Sequence, residues 1–99
     1  MKIGYVYILS NKNRTVLYIG VTANLIRRIK QHKGATGSVF TKRYNATDLL
    51  YFEKFTSIVE AIAREKKLKN WHKDWKWNLI NENNPELRDL YPELISRNT

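Results

Sequence analysis

The sequence predicts an α+β fold in which helices flank a small, mainly antiparallel sheet of three strands. Two runs of β-branched and aromatic residues near the start are separated only by a polar, turn-prone segment, and a third such run follows later. Helix-capping residues and helical spacing of apolar side chains occupy the stretches after the second and third runs. The predicted order of elements is therefore β-β-α-β-α-α.

The first two strands are expected at residues 3–9 and 15–21, where β-branched and aromatic side chains are concentrated. Residues 10–14 between them are all polar and favour a turn, so the two strands are expected to pair as an antiparallel hairpin. Both faces of these strands are largely apolar, which is typical of a sheet covered on both sides.

The first helix is expected directly after the second strand. Thr22 or Asn24 can cap it, because either side chain can accept a backbone N–H of the first turn. The helix is expected to run to about Lys33. Gly34 is well placed to end it, and residues 34–38 are expected to form a loop.

The second half begins with a strand expected at residues 49–55. Ser57 and Glu60 then form an S-x-x-E capping box, which predicts a helix that runs to about Asn70. The box satisfies two backbone N–H groups that would otherwise lack partners at the start of the helix. A strand followed by a well-capped helix completes the β-α part of the predicted order.

A last helix is predicted by Trp71, Trp75 and Leu79, which recur four residues apart, and the Asn-Asn-Pro run at residues 83–85 ends it. Tryptophans at or near helical spacing are expected in the core rather than as a platform for stacking bases. Residues 86–99 form a tail with a few apolar side chains for packing. Since no repeat, low-complexity tract or linker divides the chain, residues 1–99 are expected to be one domain.

Basic residues are concentrated in the first half of the chain. Eighteen Lys and Arg against nine Asp and Glu give a formal net charge of +9. Residues 1–47 contain nine of these basic residues and no acid, and Asp48 is the first acid in the chain. A surface that faces phosphates requires such a basic excess. The alternative is a surface whose charge only keeps the protein soluble.

Composition excludes several classes of site. The chain has no cysteine, which excludes disulfides, thiolate zinc sites and cysteine nucleophiles. No apolar run approaches the ~18 residues that cross a bilayer, and the first residues are not patterned as a signal peptide. A cytoplasmic location without membrane contact is therefore expected. The sequence also has no Ser/His/Asp arrangement, glycine-rich phosphate loop or histidine-rich zinc spacing.

One carboxylate lies on a helix stripe that is otherwise apolar. Glu65 follows Ala61 by four residues, follows Ile62 by three and precedes Leu68 by three. An ionised carboxylate without a partner in such a place is strongly destabilising. Glu65 therefore needs a cation, a metal ion or a cleft. A salt bridge to a nearby Lys or Arg is the alternative to a functional role.

Further polar side chains point to the same region of the predicted sheet. Arg28 and His32 lie one turn apart at the edge of the first helix, where Arg suits bidentate phosphate binding and His can share a proton. Tyr5 and Tyr7 share one face of the first strand, and Tyr18 lies in the second. For each of these residues the alternative is structural: a solvated Arg, a half-buried His, and core tyrosines with hydroxyls at the rim.

Together these residues resemble the GIY-YIG nuclease superfamily, and the chain looks most like its small stand-alone bacterial members. Residues 5–7 stand in the GIY position, with Tyr and Val in place of Gly and Ile, and residues 18–20 are an intact YIG. The two motif tyrosines are eleven residues apart. The resemblance extends over roughly residues 5–85 and includes Arg28 in the helix after YIG, His32 one turn later, and the Arg64-Glu65 pair. Asn78, Asn81 or neither fills the family's late asparagine position.

The resemblance implies a metal-dependent endonuclease that hydrolyses DNA phosphodiester bonds. It implies that Glu65 holds one Mg²⁺ or Mn²⁺ ion and that Arg28 neutralises charge on the phosphoryl group. Tyr7 would deprotonate the attacking water, with its hydroxyl acidified by nearby cations or relayed through His32. Tyr18 would orient the phosphate or the water.

The expected partner is DNA, with RNA left open and a protein partner as a possible source of specificity. Repair or recombination is the expected setting. One alternative is a catalytically weak or inactive nucleic-acid-binding module of the same fold, and another is a structural domain that binds an acidic protein. The residues expected to contact DNA outside the catalytic set are Lys30, Lys33, Lys42 and Arg43.

Overall fold

The centre of the fold is a three-stranded sheet, seen in a computed structural model that describes residues 2–34 and 37–97. Its strands are β1 (Gly4–Ser10), β2 (Leu17–Thr22) and β3 (Asp48–Phe55). The strand order is β2-β1-β3, and β1 pairs antiparallel with both neighbours. The predicted hairpin and the α+β fold class are therefore confirmed.

Five helices surround the sheet in the described residues, two more than the sequence predicted. The order is β-β-α-α-β-α-α-α. The two additional helices have six residues each, which is too short for the spacing of apolar side chains to indicate a helix. Residues 35 and 36 of the expected loop lie outside the described residues. None of these helices is long and apolar enough to cross a membrane. The helices are α1 (Leu25–Lys33), α2 (Val39–Tyr44), α3 (Ile58–Lys69), α4 (Lys73–Asn83) and α5 (Tyr91–Ser96).

The predicted capping residues start and end the helices. Asn24, rather than Thr22, caps α1 by accepting the backbone N–H of Arg27. The backbone N–H of Gly34 closes the other end of α1. Ser57 caps α3, although its hydroxyl accepts the N–H of Val59 instead of the N–H expected in a capping box. Capping at both ends sets where α1 begins and ends, and so fixes the positions of its side chains along the sheet.

The two faces of the sheet pack against different helices. Alternation along β1 turns Val6 and Ile8 to one face and Tyr7 and Leu9 to the other. All four side chains are buried, as the apolar pattern on both faces predicted. Tyr7 is thus part of a packed core, and its hydroxyl is held in place by that packing. The first face packs on Ala61, Leu68 and Ile80 of α3 and α4, and the second on Leu25 and Ile29 of α1 and on Ala46.

The prediction of core tryptophans is wrong for Trp75, whose side chain is 55% exposed. The reason is that Trp77, Leu79 and Ile80 form the face of α4 that packs on the core. Trp71, which precedes α4, also packs there. Trp71 and Trp75 line an open cleft of about 210 Å³.

The C-terminal segment is clamped to both the sheet and α1 through Asp89. One oxygen of the Asp89 carboxylate accepts the backbone N–H of Leu49 at 2.9 Å, and the other receives the Lys33 ammonium at 2.6 Å. The N–H of Leu90 adds a hydrogen bond to the carbonyl of Leu49 at 2.7 Å. The tail that follows α4 is therefore an integral part of the fold.

Candidate active site

The hydroxyl of Tyr7 lies above Gly20 at the open edge of the sheet. Tyr7 is the partner of Gly20 across the β1–β2 pair, and β2 is an edge strand. A Cβ atom on Gly20 would overlap the Tyr7 hydroxyl and Cζ and would lie 2.9 Å from Cε1. The glycine of the YIG motif therefore provides the space through which the Tyr7 hydroxyl reaches the edge.

Gly20→Ala should displace the Tyr7 ring and destabilise the protein by about 1–3 kcal/mol, the usual cost of overpacking a core. The buried ring cannot move aside without disturbing Leu9 and the rest of its cluster. Thermal or urea unfolding measures the effect. Gly34→Ala is the control, because a Cβ at Gly34 meets only backbone oxygens at 3.5 Å or more. Equal stability of the two variants would contradict this account of Gly20.

His32 lies beneath the surface, in contact with both motif tyrosines. Its Nε2 is 2.9 Å from the Tyr7 hydroxyl, and its ring centroid is 5.4 Å from that of Tyr18. On its other side, Nδ1 is 3.0 Å from the hydroxyl of Thr41. The sequence suggested a half-buried position at the helix edge, but His32 is only 2% exposed. The difference arises because α2, which the sequence did not predict, brings Thr41 over the imidazole.

Burial keeps both Tyr7 and His32 uncharged. It raises the pKa of Tyr7 to about 12, although the hydrogen bonding and charge of Arg28 partly oppose it. Burial, helped by the charge of Arg28, also lowers the pKa of His32 to about 4. The expectation that nearby cations acidify the Tyr7 hydroxyl is therefore wrong, since desolvation outweighs them. The alternative from the sequence, a relay through His32, fits a neutral imidazole in contact with the hydroxyl.

Arg28 stands beside this pair and is available for an anion. The side chain is half-buried, and its guanidinium donates to the amide oxygen of Gln31 at 2.9 Å. Its charge lowers the pKa of both Tyr7 and His32, so the guanidinium lies close to their contact. Within residues 2–34 and 37–97, Arg28 forms no ion pair with a carboxylate. Its charge is therefore open to a phosphate group.

Glu65 belongs to the helix that packs on the face of the sheet opposite the Tyr7 ring. It lies on α3, its side chain is 15% exposed, and its negative charge contributes to the raised pKa of Tyr7. Ile62, expected on the same buried stripe, is 38% exposed and lies at its border, whereas Glu65 is mostly buried. Its carboxylate forms an ion pair with Lys69 at 3.5 Å, the structural partner that helix spacing had suggested.

The Glu65 carboxylate fits a magnesium ion as a single protein ligand. Mg²⁺ often binds one or two carboxylates and keeps several waters. The 3.5 Å contact with Lys69 is long, and in the described part of the chain it is the only ion pair of Glu65, so the carboxylate oxygens are accessible to a cation. No group of three or more acidic or histidine ligands exists among the described residues. Any ion held here would therefore be largely hydrated.

The four basic residues expected at DNA differ in their surroundings. Lys30 is exposed on α1, and Lys42 and Arg43 are exposed on α2. The ammonium of Lys33 is engaged within the fold, where it contacts the Asp89 carboxylate and the carbonyl of Thr47. Lys30, Lys42 and Arg43 are thus the three whose charges face solvent.

Thr41 and Gly37, which the sequence did not identify as site residues, both lie against His32. Thr41 is completely buried, and a Cβ on Gly37 would come within 2.8 Å of its hydroxyl. Neither stands in a recognisable motif, so no signal in the sequence pointed to them. Asn78 and Asn81 are both exposed on α4, and Asn78 lines the tryptophan cleft.

The fold and the residues gathered at the β2 edge define a domain of the nuclease-like GIY-YIG type. The family model described as the GIY-YIG catalytic domain matches residues 3–81, and the chain belongs to this family. The expected resemblance is therefore confirmed.

Its relatives include UPF0213 proteins of similar length. The chain is 37% identical over 78 residues to one from Staphylococcus haemolyticus, a match that covers 79% of this chain and 94% of the relative. It is 41% identical over 76 residues to one from Clostridium perfringens, covering 77% and 81%. A solution NMR structure of a UPF0213 protein from Bacillus halodurans aligns with a TM-score of 0.54 at 30% identity, covering 83% and 86% of the two chains.

Proposed function

We propose that this protein is a metal-dependent endonuclease that hydrolyses DNA phosphodiester bonds. The observation that carries the proposal is the 2.9 Å contact between the Tyr7 hydroxyl and His32, in a place where the charges of Arg28 and Glu65 both act on the pKa of Tyr7. A guanidinium, a proton acceptor and a carboxylate around one hydroxyl supply the groups that phosphodiester hydrolysis needs. Membership of the GIY-YIG family supports the nuclease class.

The proton of the attacking water passes through Tyr7 to His32 in this proposal. Neither group is suited to act alone, because burial opposes a free tyrosinate and a free imidazolium. Across the 2.9 Å hydrogen bond, Tyr7 gives its proton to Nε2 of His32 while its oxygen takes a proton from water. The hydroxide equivalent attacks phosphorus and the tyrosine stays neutral. His32 holds the proton only briefly, because burial disfavours the imidazolium, and the proton returns through Tyr7 to the departing 3′ oxygen.

Groups on both faces of the sheet neutralise the negative charge of the phosphate. Arg28 binds the non-bridging oxygens, where negative charge increases in the transition state. Glu65 would hold the Mg²⁺ or Mn²⁺ ion, which when bound polarises the scissile phosphate and stabilises the departing 3′ oxygen. The Tyr18 ring packs on both Tyr7 and His32, at centroid distances of 6.3 and 5.4 Å. It therefore holds these two side chains in position beside the phosphate.

DNA affinity should fall steeply with salt. We expect a smaller slope of the logarithm of the DNA-binding constant against the logarithm of the salt concentration when the charge of Lys30, Lys42 or Arg43 is reversed. The slope should fall by about 0.7–0.9 for each phosphate that the variant no longer neutralises. The reason is that each cation releases one condensed counterion on binding a phosphate. Fluorescence anisotropy with duplex, single-stranded and branched DNA measures the slopes. Lys73→Glu is the matched control, because Lys73 begins α4 on the opposite face of the sheet. An equal fall in slope in the control would rule out the proposed surface.

A catalytically inactive DNA-binding module is the second candidate, favoured by the raised pKa of Tyr7 and by the ion pair between Glu65 and Lys69. A plasmid-nicking assay with and without Mg²⁺ separates the two. Nicking that depends on the metal supports the endonuclease, whereas salt-dependent binding without any nicking supports the binding module. Repair and recombination are the settings we propose for an endonuclease with this surface.

A further inference from the structure

The hydroxyl of Thr41 is held between His32 and the start of α2, and we propose that it is a positioning residue for the site. Thr41 fixes the tautomer of His32 in which Nδ1 carries the proton, so that Nε2 remains free to accept the proton of Tyr7. The inference rests on the proposed function, because this placement of the proton matters only if Tyr7 and His32 act in hydrolysis.

The hydrogen bonds of Thr41 supply the first argument. Its Oγ1 lies 3.1 Å from the carbonyl oxygen of Ser38, and a carbonyl can only accept. The hydroxyl has a single proton, and donating it to the carbonyl of Ser38 or to the Ser38 hydroxyl, also 3.1 Å away, leaves only lone pairs on the side of His32. Nδ1 of His32, 3.0 Å away, must then be the donor of that contact.

The second argument comes from the other side of the imidazole. Arg28 lies close enough for its positive charge to lower the pKa of Tyr7, and a guanidinium offers no acceptor for the tyrosine proton. The proton of Tyr7 is then directed to Nε2 of His32, 2.9 Å away. Both neighbours of His32 therefore favour the same tautomer, with Nδ1 protonated and Nε2 as acceptor.

Thr41 and His32 are tightly packed and have little free space around them. Thr41 is completely buried and His32 nearly so. A Cβ on Gly37 would lie 2.8 Å from Oγ1 of Thr41 and 3.1 Å from Nδ1 of His32. No side chain at position 37 could occupy that space without moving one of the two. The threonine is thus enclosed where it acts on the imidazole and does not touch the Tyr7 hydroxyl itself.

Two variants separate the hydroxyl of Thr41 from its bulk. Thr41→Val keeps the shape and removes the acceptor, whereas Thr41→Ser keeps the hydroxyl. Long-range ¹H–¹⁵N correlation spectra at neutral pH report which imidazole nitrogen carries the proton. His72, the only other histidine, is exposed and serves as the internal reference. We expect the Nδ1–H pattern for His32 in the parent protein and in Thr41→Ser, and a loss of that pattern in Thr41→Val.

Turnover supplies the second measurement. The single-turnover nicking rate should fall by roughly 10- to 100-fold in Thr41→Val, the usual effect of losing a residue that orients a functional side chain. Thr41→Ser should stay near the parent rate, and the DNA dissociation constant should be unchanged in both. An unchanged tautomer in Thr41→Val overturns the inference, and so does a changed tautomer with an unchanged rate.

The two proposals fail in different ways. A parent protein that binds DNA and never nicks it refutes the endonuclease, and with it the positioning role that we infer. The spectra do not depend on turnover, so a parent protein that nicks DNA but carries the proton on Nε2 refutes the role of Thr41 alone. A Thr41→Val protein with a parent-like circular dichroism spectrum and the tautomer change supports it.

Discussion

Replacing Glu65 with alanine should abolish metal-dependent cleavage and leave DNA affinity intact or slightly higher. In the proposed function Glu65 contributes the metal ligand and no phosphate contact, and its removal takes a negative charge away from the DNA. The ion pair with Lys69 is weak, because Lys69 is 54% exposed and such pairs contribute about 0–1 kcal/mol. Plasmid nicking with Mg²⁺ measures cleavage, and anisotropy in EDTA measures affinity.

Glu60→Ala is the matched control for this experiment. Glu60 lies in the first turn of the same helix and is exposed. The Glu60→Ala protein should therefore nick DNA at the parent rate. Glu65→Gln tests the charge at constant shape and should be as inactive as the alanine variant, since a neutral amide is a poor magnesium ligand. A Glu65→Ala protein that nicks as fast as the parent would show that Glu65 is not the metal ligand.

Arg28→Ala should reduce the nicking rate by on the order of 10²-fold or more, the scale of losing one preorganised donor to the transition state. Two losses lower the rate, and the higher pKa that His32 gains without the Arg28 charge opposes them only in part. The variant has no guanidinium for the phosphoryl oxygens, and it also loses a charge that lowers the pKa of Tyr7, so ionising that hydroxyl becomes still harder. Single-turnover nicking is the appropriate measurement, because it separates the chemical step from DNA release.

Arg28→Lys should restore little of this activity. A lysine provides charge without the planar fork that binds two oxygens at once. Arg27→Ala is the control, because Arg27 is the exposed neighbour on α1 and is equal in charge. Full activity of the lysine variant would indicate that Arg28 acts only through its charge, and equal loss in both alanine variants would indicate a general effect on DNA binding.

The strands, α1 and α3 could be predicted from the sequence because each is defined by local signals. β-branched runs around a polar turn define the hairpin, and Asn24 and Ser57 cap the two helices. Motif spacing likewise identified the candidate catalytic residues before any geometry was known. Local patterns are sufficient for such features because the forces that establish them act within a few residues.

The remaining features depend on contacts between distant segments. The six-residue helix α2 has no apolar periodicity to identify it, yet it buries His32 by placing Thr41 on the imidazole. The pKa of Tyr7 rises because a whole cluster desolvates its hydroxyl, and basic residues in the sequence had suggested the opposite direction. Trp75 is exposed because Trp77, Leu79 and Ile80 form the face of α4 that packs on the core.

The clamp formed by Asp89 determines how much of the chain is needed for a folded domain. The region matched by the family model ends at residue 81, ahead of Asp89. A protein trimmed to that region would leave the Lys33 ammonium and the Leu49 N–H without their carboxylate, and α1, which carries Arg28 and His32, would lose its tie to the far end of the sheet. We therefore expect that the smallest autonomously folding unit is longer than the stretch that carries the family signature and includes the clamp.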